Sequence, residues 1–397
     1  METGITVERA LELISAHITP LPSIPCPAGA AEGRVLAEDL RAPMDQPPWP
    51  RSPLDGYALR SADSAPGAAL RVAATVYAGG RCDGPVGPGE AVRLMTGAPI
   101  PSDCDCVIRQ EDTDGGEEVV TLQKALRPWE NYCFAGEDFR KGDLLIPAGT
   151  RLSGLAYGLL ASAGLMGRTL QVRPRLRAAL ISTGDELVPA DAPLGPGKIY
   201  SSNAPLLASR LRRLGVEVTL YRETFSDDAA ALAETLRAAL PDCDLVITTG
   251  GVSVGAKDIL HETLPLLGAE RVFWKVKLKP GSPLMFSIVD GKPILSLSGN
   301  PFAAAATLEL FARPLLAALE GCGDLLPTEV PAVLDTEFPK TSPVPRYVRG
   351  FYARGRLTFP KGHSSGQLAS GLGTNCLAEI PANTPCPAGT EVRAWLL

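Results

Sequence analysis

Histidine is scarce in this chain, with 3 in 397 residues, and its 9 cysteines include no Cys-x-x-Cys pair. A zinc site of the usual Cys/His kind is therefore not expected. The cysteine count is odd, and Cys104 and Cys106 stand only two apart. That pattern fits reduced thiols in a cytosolic protein better than a disulfide framework. An excess of base is missing too. The 38 Lys+Arg against 44 Asp+Glu leave a net charge of -6, which argues against nucleic acid as a partner. No run of about 18 apolar residues suggests a membrane span. The opening METGITVERALELISAHI has no apolar core of the signal-peptide kind, so a soluble cytoplasmic protein without a membrane partner is expected. There is no internal repeat and no long low-complexity linker.

Proline is abundant by contrast, at 37 residues spread along the chain, nearly twice the usual ~5%. Such spacing implies many turns and stiff connections. Hydrophobic residues make up 45% of the chain, enough to bury substantial cores. At roughly 100–200 residues per domain, the length suits two to four domains.

The texture changes along the chain. Residues 6–18 have the spacing of an amphipathic helix capped by Thr6, with Val7, Leu11, Ile14 and Ile18 on one face. From Pro43 to about Phe139, short apolar runs alternate with Gly/Pro clusters, the mark of a β-rich module. From Leu176, buried strands alternate with helices. LRAALIS, VEVTLYR, DLVITT and KPILSLS read as strands, and helices begin near Ser202/Asn203, Ser226 and Asn300-Pro301. Pro314 should kink or divide the last helix. The alternation predicts a mostly parallel sheet covered on both faces. From Pro327 short strands return, as a small barrel or sandwich.

Three polar loops follow strands of the α/β segment: Thr183-Gly184-Asp185-Glu186, Thr248 to Gly255 (with Gly250, Gly251 and Ser253), and Ser298-Gly299-Asn300-Pro301. Ligands of open parallel sheets bind beyond the carboxyl ends of the strands, and glycine lets backbone approach them. Each loop alone is as readily a tight turn. Asp185, Glu186, Asp227 and Asp258 gather at the same rim. Asp227 and Asp258 would also suit helix first turns without any ligand. Carboxylates beside anion-binding loops call for a cation between them, and Mg2+ is the natural choice. In Trp274-Lys275-Val276-Lys277-Leu278-Lys279, the alternation would put three lysines on one strand face. They form either an anion-binding ladder or a lysine-guarded edge. Asp55 in SPLDGYA and Thr96 in LMTGA lie in turns of the β-rich module.

SPLDGYALR, RLMTGAPIP, AGEDFRKGD, STGDEL, TTGGVSVGAKD, FWKVKLKPG and SGNP occur in this order. As an ordered set they resemble the molybdopterin molybdenumtransferase family (MoeA), related to the E domain of gephyrin, over essentially the whole chain. The resemblance implies a multidomain α/β plus β fold. Its parts would be an elongated domain (1–45 and 140–175), a β-rich inserted module (46–139), a MogA/MoaB-like α/β domain (176–322) and a C-terminal β-barrel (327–397). It implies a transferase that converts adenylylated molybdopterin and molybdate to molybdenum cofactor and AMP, with Mg2+. Asp55 and Thr96 look like residues lent across a homodimer cleft. Asp138, Glu186, Asp227 and Asp258 look like the functional acids, the last three as metal ligands. Lys275 and Lys279 look like the anion-binding lysines, and Arg349 and Ser365 like the barrel's contribution to molybdate or pterin binding. A MogA-type adenylyltransferase and molybdoenzyme maturation factors are implied partners. Ser282 and Ser298 depart from the Lys and Pro common in the family, which bears on ligand affinity. Two other classes stay open: a pterin-binding scaffold without turnover, and another Mg2+-dependent nucleotide hydrolase.

Overall fold

Buried strands rich in Leu, Ile, Val and Phe build a seven-stranded sheet. The computed structural model describes residues 1–397 except 190, 226–227 and 253–258. The order across the sheet is Glu2–Ile5, Glu270–Val276, Met285–Val289, Lys292–Leu297, Leu245–Thr249, Arg177–Thr183 and Glu217–Phe225. Only Met285–Val289 runs antiparallel to its neighbours; every other pairing is parallel. Alternate residues fill two separate cores. Ala178, Leu180, Leu245, Ile247, Phe286 and Leu295 face one side, and Ala179, Ile181, Val246, Met285 and Ile294 face the other. Helices Val7–His17 and Asn203–Arg213 cover the first side, and Ala229–Ala239 and Ile259–Leu266 the second. A fully buried Leu or Phe contributes roughly 1.5–3 kcal/mol. A one-residue slip would exchange both faces at once, so the register is strongly fixed.

The helix starts follow from local chemistry. Thr6 accepts from the Arg9 amide, as its position predicts. Ser226 is not described, and Asp228 is the cap of the next-but-one helix of this unit. Its carboxylate accepts from the amides of Ala230 and Ala231 at 2.9 and 3.2 Å. The interruption expected at Pro314 takes the form of a π-helical turn, Leu308–Ala312, between helices Pro301–Thr307 and Arg313–Glu320. Proline supplies no amide hydrogen and crowds the preceding turn, and a wider turn relieves both. The whole span Pro301–Glu320 is apolar and long enough to cross a membrane, but 89% of its apolar window is buried inside the protein, as befits a core helix.

The chain forms two compact units, Met1–Pro25 with Gln171–Leu397, and Cys26–Leu170. The first also holds a closed five-stranded barrel of Thr328–Leu334, Arg356–Thr358, Arg346–Ala353, Cys376–Ile380 and Glu391–Leu396. The second is built on a five-stranded sheet in the order Cys106–Arg109, Gly56–Leu59, Glu90–Leu94, Ala69–Val76, Val119–Thr121. Gly56 of the Asp-Gly pair serves this sheet: a Cβ there would stand 2.0 Å from the Ile108 carbonyl oxygen.

Candidate active site

The carboxyl ends of Arg177–Thr183, Leu245–Thr249 and Lys292–Leu297 bring the three polar loops together. The contact is backbone to backbone. Gly250 has φ +91°, and a Cβ on it would meet the Thr183 carbonyl oxygen at 2.4 Å. A Cβ on Gly299 would lie 3.6 Å from the Gly250 α-carbon. The Gly250 amide donates to Leu297 at 3.1 Å, and the Thr183 hydroxyl to the Thr249 carbonyl at 3.2 Å. Asn203 ties in the neighbouring helix, donating to the Gly299 carbonyl at 2.8 Å, while its own Oδ1 is buried without a partner. Only glycine tolerates both the left-handed conformation and this closeness.

Above these loops opens a cavity of about 1100 Å3. Thr183, Gly184, Glu186, Gly250, Gly251, Gly299, Asn300 and Pro301 line its floor. Lys279 to Pro283 form one side, and Ser342 and Ser365 come in from the barrel half. The Glu186 carboxylate folds over Gly184, where a Cβ would meet it at 2.6 Å. Asp185 is exposed beside the cavity, and its carbonyl accepts from the Lys198 ammonium. Ser282 donates to the Val276 carbonyl at 2.8 Å, and the Ser298 hydroxyl accepts from the Asn300 amide at 3.3 Å. The second bond steadies the loop where a proline would otherwise stiffen it.

The lysine ladder is not formed. Glu270–Val276 is an inner strand, paired on both sides, and it ends before Lys277 and Lys279. Lys275 adopts φ +63°, which breaks the alternation. Phe273 and Val276 consequently pack into one core while Trp274 packs into the other. The Lys275 ammonium sits 4.1 Å from the Trp274 ring, a cation–π contact, and does not line the cavity. Lys279 alone of the three reaches it.

A second cavity of about 410 Å3 adjoins the first through Lys279, Pro280 and Ser365. Lys340, Arg346, Arg349 and His363 line it, and no carboxylate of the described residues does. Arg349 is 2% exposed. Its guanidinium lies 4.2 Å from the Phe302 ring and donates to the carbonyls of Gln367 (2.7 Å) and Ser364 (3.1 Å). Burial pushes its pKa below the ordinary arginine value. Arg346 Nε, Arg349 Nε and His363 Nδ1 are all buried without a hydrogen-bond partner. Burial, then the charges of Lys340, Arg349 and Arg346, push the His363 pKa down. Gathered cations with unmet donors and no acid among them suit a bound anion.

In the Cys26–Leu170 unit the structure brings Asp55 and Thr96 together. The Asp55 carboxylate accepts from the Thr96 hydroxyl and amide, both at 2.7 Å. These bonds, the hydroxyl's first, hold its pKa below the usual carboxylate range. Asp138 is exposed in the same unit, its amide donating to the Gln46 carbonyl at 2.9 Å. Asp227, Ser253, Gly255 and Asp258 lie outside the described residues. Among the described residues no three His, Cys, Asp or Glu side chains group as a metal site. Glu186, an oxygen donor, is the one proposed ligand that can be placed. Sequence reading missed Lys340, Arg346 and His363. The available signal was one of only 3 histidines, set in a Gly-His-Ser-Ser-Gly loop.

Three family models match the chain: "MoeA N-terminal region (domain I and II)" over residues 5–164, "Probable molybdopterin binding domain" over 179–318, and "MoeA C-terminal region (domain IV)" over 331–397. A molybdopterin molybdenumtransferase of Staphylococcus aureus (strain COL) is 34% identical over 389 residues, spanning 96% of this chain and 92% of that protein. One of Staphylococcus epidermidis (strain ATCC 35984) is 32% identical, spanning 96% and 93%. Among solved structures, the molybdopterin biosynthesis moeA protein of Pyrococcus horikoshii OT3 superimposes with a TM-score of 0.84 at 28% identity, over 99% of this chain and 100% of that one. A molybdenum cofactor biosynthesis protein of Pyrococcus furiosus shares the fold, with a TM-score of 0.61 at 21% identity over 99% and 100%.

Proposed function

The chain belongs to the molybdopterin molybdenumtransferase (MoeA) family, and from that premise we propose that its larger cavity takes adenylylated molybdopterin and its smaller one molybdate. The protein is a transferase of molybdenum cofactor biosynthesis that inserts molybdenum into molybdopterin.

One observation carries the reading: a glycine-floored cavity and one lined by Lys340, Arg346 and Arg349 meet at Lys279 and Ser365. The first has the size and open backbone for an extended pterin–nucleotide ligand. The second has fixed positive charge for a small oxyanion. Two substrates so placed react across one short junction, and the entropy of bringing them together is removed in advance. The loops at Thr183, Gly250 and Gly299 hold the ligand's backbone-facing side. Lys279, shared by both cavities, balances charge on the phosphoanhydride and on the oxyanion. The products are molybdenum cofactor and AMP.

Glu186 brings to the larger cavity a carboxylate oxygen of the kind a divalent cation takes, and among its described lining residues no His or Cys competes. Glu186, with Asp227 and Asp258, would hold Mg2+, which would neutralise the charge of the phosphoanhydride. We further propose a homodimer in which Asp55 and Thr96 complete the partner's site, supply of substrate by a MogA-type adenylyltransferase, and a cytoplasmic setting. Purified protein given adenylylated molybdopterin, Mg2+ and molybdate should release AMP in step with cofactor formation. Absence of AMP release, where a Staphylococcus relative works under the same conditions, would overturn the reading.

A further inference from the structure

We infer that the smaller cavity takes up its oxyanion together with a proton, and that His363 holds that proton. The inference rests on the reading of this cavity as the oxyanion site and adds a regulation to it.

The protein's own groups around the imidazole are of two kinds. Lys340, from the loop after the Thr328–Leu334 strand, and Arg346 and Arg349, from the Arg346–Ala353 strand, act on it by charge, while Lys279 and Tyr347 line the same cavity. The rings of Phe338 and Phe359 lie 5.3 and 5.9 Å away, both edge-on. Among the described residues no Asp or Glu lines the cavity. His363 therefore meets cations and apolar rings, and each disfavours its charged form. Its pKa is accordingly depressed, by burial first and then by Lys340, Arg349 and Arg346. Nδ1 is buried without a partner, so no local acceptor stabilises a proton there.

A molybdate dianion reverses this balance. It brings negative charge into a small, partly dry space, where an opposite charge favours the imidazolium. The proton comes from the buffer and goes to an imidazole nitrogen; no covalent bond is made or broken. Of the side-chain types that line the cavity, imidazole is the one whose ordinary pKa lies near neutrality. The sign follows. With a free pKa below the histidine norm and a raised bound pKa, proton uptake occurs between the two. Affinity for the dianion rises as pH falls through the bound value and levels off below the free one.

The test uses the full chain and molybdate alone. Titration calorimetry in buffers of different ionisation enthalpy counts the protons, from about pH 6 to about pH 8. Wild type should take up part of a proton near neutrality, with affinity falling by up to about tenfold per pH unit as pH rises. His363→Gln should show neither. With only 3 histidines, NMR of labelled imidazoles resolves each titration. That of His363 should move up on adding molybdate, while His17 and His261 stay, and this readout needs no variant. Molybdate binding without proton uptake, or uptake retained in His363→Gln, overturns the role of His363 and leaves the cavity assignment standing. No saturable molybdate binding by wild type at any pH overturns both.

Discussion

At the scale of single residues, the site depends on where a side chain is forbidden. Gly250 and Gly268 both have positive φ, at +91° and +65°. A Cβ on Gly268 meets nothing within 4 Å, whereas on Gly250 it would be driven into the Thr183 carbonyl oxygen at 2.4 Å. Gly268→Ala should cost only the left-handed strain, about 1–2 kcal/mol, seen as a small drop in melting temperature with AMP release retained. Gly250→Ala must also displace the loop proposed to hold the ligand, and a displacement of that order should lower turnover about a hundredfold. Equal activity in both variants would show that the loop is only a turn. The glycines of this floor are legible in the sequence because three such loops follow strands of one sheet, although each alone reads as readily as a turn. The smaller cavity is legible only in part: Lys279, Arg349 and Ser365 follow from the family resemblance, whereas Lys340, Arg346 and His363 come in from segments the family motifs do not mark.

Elements were read well where periodicity ruled and poorly where one residue broke it. The strands Arg177–Thr183, Leu245–Thr249 and Lys292–Leu297 bury every second residue into each of two cores, and their apolar runs announce that. The Trp274 segment also alternates, yet the left-handed Lys275 resets its phase, which no pattern of residue types reveals. A second hidden feature joins two helices that frame the site. Glu309, 5% exposed in the π-helical turn, pairs with Arg210 of the Asn203–Arg213 helix and with Arg313 at 3.2 Å. Removing the acid leaves two guanidinium groups facing each other in a largely buried place. Glu309→Ala should therefore lose about 3–5 kcal/mol, read as a lower urea midpoint for the Gln171–Leu397 region by hydrogen exchange. An unchanged midpoint would mean that water already screens the cluster.

For the whole molecule, the candidate residues divide between the two units. Cavities and Glu186 belong to the unit of Gln171–Leu397, while Asp55, Thr96 and Asp138 belong to Cys26–Leu170. The Asp55–Thr96 pair is exposed, and the hydrogen bonds from Thr96 favour the charged form of its carboxylate. It is thus a ready-made charge on a surface loop. The proposed homodimer gives it a use in the partner's site, since a two-fold axis that offers one subunit's loop must offer the other's as well. This makes a quantitative expectation. Asp55→Asn and Glu186→Gln should each be inactive alone, the first for want of the lent acid and the second for want of the floor acid. After subunit exchange, half the dimers are mixed and each has one intact site, so AMP release should return to about a quarter of wild type. Exchange is confirmed by mass on differently tagged subunits. Mixed dimers that stay inactive would place Asp55 and Glu186 in the same site of the same chain. Asp55→Asn active by itself would remove Asp55 from the chemistry altogether.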